Sequence, residues 1–165
     1  MRAAWIVLLA ACDAHGSRPD GGMDGLGGDA MLDAAIDSGP FTCANDSAFE
    51  PNDSIATAFA TPVDTNPMIS LADLAICPVT DKDHYRVTLS GTKALEVIAS
   101  WTGGTAVTLS ILNAGGTSLG NGTAMGTNAT RACLPNLPIG TYYALVAANA
   151  QNNYSLSIKA LASCN

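Results

Sequence analysis

From about residue 41 to the end of the chain, apolar and polar residues alternate with a period of two along several short segments. Tyr85, Val87 and Leu89 share one phase, while Arg86 and Thr88 take the other. This alternation is typical of β-strands that bury one face and expose the other. The same inward phase is predicted for Leu95, Val97, Ala99, Trp101, Val107, Leu109, Ile111, Tyr142, Ala144, Val146, Tyr154, Leu156 and Ile158.

Clusters of Gly, Asn and Pro separate these segments, and a weaker strand is predicted between Thr127 and Cys133. Short strands joined by close turns predict two layers that each bury one face. We therefore predict an all-β fold, an antiparallel, jelly-roll-like β-sandwich. One segment favours a helix instead: residues 53–59, where Asn52 or Asp53 could cap the first turn and Ile55 begins a small apolar face.

The first 40 residues lack this alternation. Met1 and Arg2 precede an apolar run to Ala11 that is too short to cross a bilayer, which predicts a signal peptide over residues 1–11. The following Cys12 completes a sequence that resembles a bacterial lipobox, so we predict that Cys12 is lipidated and attaches the chain to the membrane. The alternative is an ordinary signal peptide followed by an unmodified cysteine.

Residues 12–40 are rich in Gly, Asp and Ala and contain few bulky side chains. Such a segment buries too little apolar surface to offset its ordering entropy, so a disordered linker is predicted before a sandwich domain at 41–165. The aspartates of the linker lack the spacing of a calcium-binding EF-hand loop. The chain as a whole has a formal net charge of -7. This balance argues against nucleic acid as a partner, since such binding depends on clustered Lys and Arg.

Four cysteines fall within the predicted domain: Cys43, Cys77, Cys133 and Cys164. Their wide spacing favours two disulfides in an exported protein over a zinc site, which usually brings its ligands in close pairs. Four cysteines permit three connectivities. We favour Cys43–Cys164 and Cys77–Cys133, because the first bond would join the two ends of the domain.

Three motifs occur in order along the domain: FEPNDS at 49–54, DKDHY at 81–85 and GTYY at 140–143. Together with the closing strand at 154–158, they resemble the bacterial pre-peptidase C-terminal domain, a non-catalytic β-sandwich that accompanies other proteins. Some members of that family, notably collagen-binding domains of collagenases, hold calcium between the first two motifs. The resemblance implies calcium ligands at Glu50, Asn52, Asp53, Asp81 and Asp83.

The phase of the second motif bears on this site. If the strand begins at Asp81, then Asp81 and Asp83 share the core face with Tyr85, where an unpartnered carboxylate is costly. Calcium would compensate these charges because it prefers oxygen ligands. Backbone N–H groups in a turn before the strand would do so as well. Both interpretations remain open from the sequence.

A Gly-x-Ser-x-Gly pattern at 116–120 places Ser118 where a hydrolase nucleophile would lie. In that enzyme fold the histidine follows the serine, whereas His15 and His84 both precede it. His84 has the outward phase beside Lys82 and Arg86, which predicts a solvated side chain. We therefore predict that the chain is not an enzyme and has no small-molecule substrate.

Exposed aromatic residues would favour recognition of a sugar or a protein. Trp101 has the inward phase and is predicted to lie in the core, while Tyr143 has the outward phase and is a weak candidate for binding. We predict a lipoprotein exported to the cell envelope, facing the periplasm or the cell surface, whose domain binds an extracellular polysaccharide or an envelope protein. The alternative is a structural spacer or accessory domain without a ligand of its own.

Overall fold

The computed structural model describes residues 42–165. The predicted signal peptide, the lipidated Cys12 and the linker to residue 40 lie outside the described residues. Ten strands follow in chain order: β1 (Phe59–Thr61), β2 (Met68–Ile76), β3 (Lys82–Leu89), β4 (Lys93–Trp101), β5 (Val107–Asn113), β6 (Ser118–Asn121), β7 (Thr123–Ala124), β8 (Ala129–Leu137), β9 (Gly140–Ala148) and β10 (Asn152–Leu161).

The strands form two five-stranded sheets. The first sheet has the order β1-β3-β9-β5-β6, and the second has the order β2-β10-β4-β8-β7. Neighbouring strands are antiparallel, except that the short edge strand β1 runs parallel to β3. The predicted all-β sandwich is confirmed.

Inward-facing side chains from both sheets form the hydrophobic core. Tyr85 and Val87 come from the first sheet, while Leu95, Val97 and Leu156 come from the second, and all five are buried. Burying a side chain of this size stabilises the fold by about 1.5–3 kcal/mol. Trp101 is also buried, as its phase predicts.

The predicted helix at 53–59 is wrong. Residues 53–57 form a turn in which Thr57 N–H donates to Ser54 O at 3.1 Å, and Phe59 begins strand β1. The ring of Phe59 lies 5.0 Å from that of Phe49 and 6.5 Å from that of Tyr85. So short a helix has a costly nucleus, and pairing of Phe59 with β3 supplies contacts that a local helix lacks.

Strand β2 was not predicted because its pattern is irregular. Asp73 has a positive φ of 56°, and the pairing of β2 with β10 shifts register at this point. A bulge of this kind moves the following side chains to the other face, which hides the period of two. The weak strand predicted at 127–133 is β8, which extends further, to Leu137.

All four cysteines of the domain form disulfides, but the favoured pairing is wrong. Cys43 pairs with Cys77, and Cys133 pairs with Cys164. The first bond joins the opening segment to the end of β2, where the Asp46 carboxylate also accepts a hydrogen bond from Ala75 N–H at 2.9 Å. The second joins β8 to the closing segment, so each end of the domain is bonded to a nearby strand.

Two disulfides indicate an oxidising compartment, as expected of an exported protein. Within residues 42–165 there is no helix long and apolar enough to cross a membrane.

Candidate cation site

Three carboxylates converge at one end of the first sheet. Glu50 lies in the segment before β1, Asp81 ends the turn between β2 and β3, and Asp83 is the second residue of β3. One oxygen atom from each of the three side chains lies within 4.8 Å of the others. We call these three residues the acidic cluster.

Backbone N–H groups satisfy the outer part of the acidic cluster. Asp81 Oδ2 accepts from Cys77 N–H at 3.1 Å, and Asp81 Oδ1 accepts from Lys82 N–H at 2.8 Å. Glu50 Oε2 accepts from Asn52 N–H at 2.9 Å. The turn with backbone donors, which was the alternative to a cation, therefore exists around Asp81, which precedes β3.

The inner part of the cluster is not satisfied in this way. Asp83 faces the core beside Tyr85, as its phase predicts, and is 0% exposed. Its Oδ2 accepts a hydrogen bond from the Tyr154 hydroxyl, whereas Oδ1 has no partner among the described residues. Asn52, which is 1% exposed, has no partner in the described domain for either atom of its side-chain amide. Unpartnered buried polar atoms cost about 1–3 kcal/mol each, so these atoms favour a ligand.

Burial and mutual repulsion raise the pKa values of the cluster. The pKa of Asp83 is raised to about 8, mainly by burial; the hydrogen bond from Tyr154 opposes the shift, and the Asp81 and Glu50 charges add to it. The pKa of Asp81 is raised to about 6 by burial and by the neighbouring Asp53 carboxyl group. Burial also raises the pKa of Glu50. Each carboxyl group therefore gains stability from a proton or from a cation.

The donor atoms fit a hard cation. Calcium takes six to eight oxygen ligands from carboxylates, amide carbonyls and water. Of the five ligands implied by the family resemblance, the fold brings together Glu50, Asp81 and Asp83. Asn52 is buried with its amide oxygen free, and the exposed Asp53 is near enough to raise the pKa of Asp81.

The predictions that His84 and Tyr143 are exposed are wrong. His84 is 8% exposed and Tyr143 is 9% exposed, although both have the outward phase on the first sheet. The opening segment crosses this outer surface: His84 N–H donates to Asn52 O at 2.9 Å, and Ile55 reaches Gly116 in the turn between β5 and β6. Alternation along one strand carries no information about such a covering segment.

Ser118 lies on β6 in a β-hairpin, without the helix that follows a hydrolase nucleophile. Its hydroxyl donates to Asn121 Oδ1 at 3.2 Å. This geometry differs from that of the hydrolase motif, which requires a strand, a sharp turn and a helix.

A second buried carboxylate, Glu96 on the outer face of the second sheet, was not predicted from the sequence. Glu96 Oε2 accepts from Arg131 Nε at 2.6 Å, and Glu96 Oε1 accepts from Lys159 Nζ at 3.2 Å. Burial alone would raise the pKa of Glu96, but the two cations and their hydrogen bonds together lower it. We call these residues the ion triad. Their outward phases were visible in the sequence, whereas their adjacency depends on the order β10-β4-β8.

No protein-family model matches this chain, and comparison with curated proteins finds no match. Among solved structures, the pre-peptidase C-terminal domain of a collagenase from Bacillus anthracis is similar to it, with 22% sequence identity and a TM-score of 0.51. That match covers 62% of this chain and 94% of the other. PliG from Aeromonas hydrophila, a periplasmic inhibitor of g-type lysozyme, is also similar, with 15% identity, a TM-score of 0.47, and coverage of 62% and 95%.

The likeness to the collagenase domain concerns the fold, and it agrees with the three motifs that occur in the same order in this sequence. The resemblance inferred from those motifs is thereby confirmed. Residues 42–165 contain a β-sandwich whose fold is similar to that of this pre-peptidase C-terminal domain.

Proposed function

We propose that this chain is a non-catalytic, exported binding module whose sandwich is stabilised by calcium at the acidic cluster. One observation supports the cation above all: Asp83 Oδ1 and the side-chain amide of Asn52 are buried beside converging carboxylates and have no partners among residues 42–165. Structural buried carboxylates are ordinarily paired, as Glu96 is in the ion triad.

Calcium, when bound, supplies the positive charge that the cluster lacks. Glu50, Asn52 and Asp53 would hold it from the opening segment, while Asp81 and Asp83 would hold it from the start of β3. The oxygens already bonded to backbone N–H groups keep Asp81 and Glu50 in place, so the site is largely formed before the cation arrives.

Isothermal titration calorimetry of the full chain with calcium chloride tests this site. We expect saturable binding that is lost in Asp83→Asn and retained in Asp73→Asn, which changes an exposed aspartate on β2. Asparagine tolerates the positive φ of position 73, so this control preserves the backbone. Absence of binding by the unaltered chain, with no change in its melting temperature, would contradict the proposal.

For the binding role, a groove between the two sheets offers a place for an uncharged polymer. It has a volume of about 450 Å³ and lies between β5 and β6 on one side and β7 and β8 on the other. Trp101 contributes an aromatic wall, and Thr108, Ser110, Asn121 and Thr127 contribute hydroxyl and amide groups. The lining residues are uncharged, which favours a neutral polysaccharide or a neutral polypeptide segment of an envelope protein.

An array of neutral polysaccharides and envelope proteins distinguishes a binding module from a spacer. We expect binding that is blocked by Ala106→Trp, which fills the groove, and unaffected by Ala114→Trp in the turn between β5 and β6. No binding above background would favour the structural spacer.

We also retain the proposal that lipidation of Cys12 attaches the module to the cell envelope. Acyl chains contribute about 0.8 kcal/mol per buried methylene, so several chains together give a stable anchor. Intact-mass measurement of the native protein should show a diacylglycerol adduct at Cys12, whereas an unmodified thiol there would contradict the anchor.

A further inference from the structure

Two tyrosine hydroxyls connect the buried carboxylate of the acidic cluster to the centre of the sandwich. Tyr85 lies on β3 in the first sheet, and Tyr154 lies on β10 in the second. Both side chains are buried in the core, where their hydroxyl oxygens lie 2.6 Å apart. The Tyr154 hydroxyl also contacts Asp83 Oδ2.

The direction of these hydrogen bonds follows from the carboxylate. When Asp83 is ionised, as it would be when it binds a cation, it can only accept, so Tyr154 donates to its Oδ2. The Tyr154 oxygen is then free to accept, and Tyr85 donates to it. Such a chain of hydrogen bonds strengthens each member, because every donor is polarised by the acceptor beyond it.

Packing alone does not account for these hydroxyls. Phenylalanine would fill the same volume without placing a polar group in the core, where an unbonded hydroxyl costs free energy. The polar end of this chain is Asp83, whose two oxygens have different environments: Oδ2 accepts from Tyr154, and Oδ1 has no partner within residues 42–165.

We propose that Tyr154, supported by Tyr85, is a positioning residue for the cation site: its hydroxyl holds Asp83 Oδ2 and thereby presents Oδ1 to the cation. This inference rests on the calcium site of the proposed function. In this proposal both tyrosines act through Asp83, because the Tyr154 hydroxyl bonds to Asp83 Oδ2 and the Tyr85 hydroxyl bonds to that of Tyr154. Because the two tyrosines come from different sheets, cation binding is coupled to the contact between the sheets, and the coupling is reciprocal.

Calcium titration of the full chain and three variants tests this inference. Tyr154→Phe removes the donor to Asp83, and Tyr85→Phe removes the group that supports it. Tyr142→Phe is the matched control, because this buried tyrosine on the same sandwich donates instead to Pro138 O at 2.9 Å. Removing the hydrogen-bond partner of a metal ligand typically weakens metal affinity by about 10–100-fold, which is the loss that we expect for Tyr154→Phe. A smaller loss is expected for Tyr85→Phe and none for Tyr142→Phe.

A tyrosine absorbance difference spectrum provides a second readout. Calcium should change this spectrum in the unaltered chain and in Tyr142→Phe, and the change should be lost in Tyr154→Phe. A hydroxyl with a merely structural role would alter the melting temperature of the calcium-free protein while leaving the calcium dissociation constant of the folded protein unchanged.

Folded Tyr154→Phe that binds calcium as tightly as the unaltered chain would overturn the inference and leave the calcium site standing. If Tyr154→Phe does not fold, Tyr85→Phe decides, and unchanged affinity together with an unchanged spectral response would overturn it. If the unaltered chain binds no calcium, the proposed function fails and this inference fails with it.

Discussion

The acidic cluster and the ion triad each contain a buried carboxylate, but the pKa values of the two carboxylates shift in opposite directions. Glu96 is buried on the outer face of the second sheet, and two cations from neighbouring strands contact it. Asp83 is buried at the end of the first sheet, where its close charged neighbours, Asp81 and Glu50, are also acidic. The pKa of Glu96 is lowered, whereas that of Asp83 is raised to about 8.

This difference shows how to distinguish a buried carboxylate with a structural role from one that belongs to a ligand-binding site. In the ion triad the chain provides its own counter-charges, so the site is complete without a ligand. In the acidic cluster the chain provides oxygens and places them close together, while atoms of Asp83 and of the adjacent Asn52 have no partner in the part of the chain that the structure describes. Burial alone does not separate the two cases; the sign of the neighbouring charges does.

The largest expected effect is an opposite dependence of stability on pH at the two sites. In the calcium-free protein, the stability contributed by protonated Asp83 is fully present below its ordinary pKa of 3.8 and is lost as pH rises through about 8. Each such proton changes the free energy of unfolding by up to about 1.4 kcal/mol per pH unit. Urea denaturation in a chelator across this range measures the decline.

The same titration in Asp83→Asn should show a smaller decline. The ion triad behaves in the reverse sense, because the lowered pKa of Glu96 gives stability above its ordinary value of 4.5 that is lost as pH falls through the lowered value. A calcium-free protein whose stability rises steadily from pH 4 to about pH 8 would contradict the difference between the sites.

Calcium should supply the acidic cluster with the counter-charge that the ion triad already has. At a free concentration 100 times the dissociation constant, calcium raises the free energy of unfolding by about 2.7 kcal/mol. The gain should survive in Lys159→Met, which removes one cation of the ion triad, and vanish in Asp83→Asn. Denaturation midpoints with calcium and with a chelator check this, and an equal gain in Asp83→Asn would place the cation elsewhere.

Removing one cation of the ion triad should leave Glu96 a less completely paired buried carboxylate, as Asp83 is in the acidic cluster. Arg131→Met leaves Glu96 with Lys159 alone, and the weakened pairing of a buried carboxylate costs about 2 kcal/mol. Lys159→Met should cost less, because the Lys159 contact is the longer of the two. Chemical denaturation at neutral pH measures both, and two unchanged stabilities would mean that the triad contributes nothing.

The smallest expected effect concerns Asp53, the exposed member of the predicted ligand set. Asp53→Asn removes a charge that raises the pKa of Glu50 and a carboxyl group whose hydrogen bond raises the pKa of Asp81, so both pKa values should fall towards their ordinary values in the calcium-free protein. Calcium affinity should fall less than in Asp83→Asn, because an exposed ligand is easily replaced by water. NMR titration of the carboxyl groups and calorimetry measure these changes, with Asp73→Asn as the control.

Much of the fold and part of the site could be predicted from the sequence. The phase shared by Asp83 and Tyr85 placed that carboxylate on the core face, where the structure has it. The alternative explanation, a turn with backbone donors, proved to describe Asp81. The unpartnered side chain of Asn52 was not predictable, because its burial depends on a segment that crosses the sheet.

By itself, the sequence determined that the regularly alternating segments of β3, β4, β5, β9 and β10 become strands and which of their faces turn inward, because alternation and turn residues act over a few neighbouring positions. Only the tertiary structure decided which strands lie side by side. The position of β4 between β10 and β8 brings Lys159 and Arg131 to Glu96, and the path of the closing segment brings Cys164 to Cys133. The opening segment likewise contacts the buried His84 through Asn52 O. These contacts join residues far apart in the chain, and no local pattern specifies them.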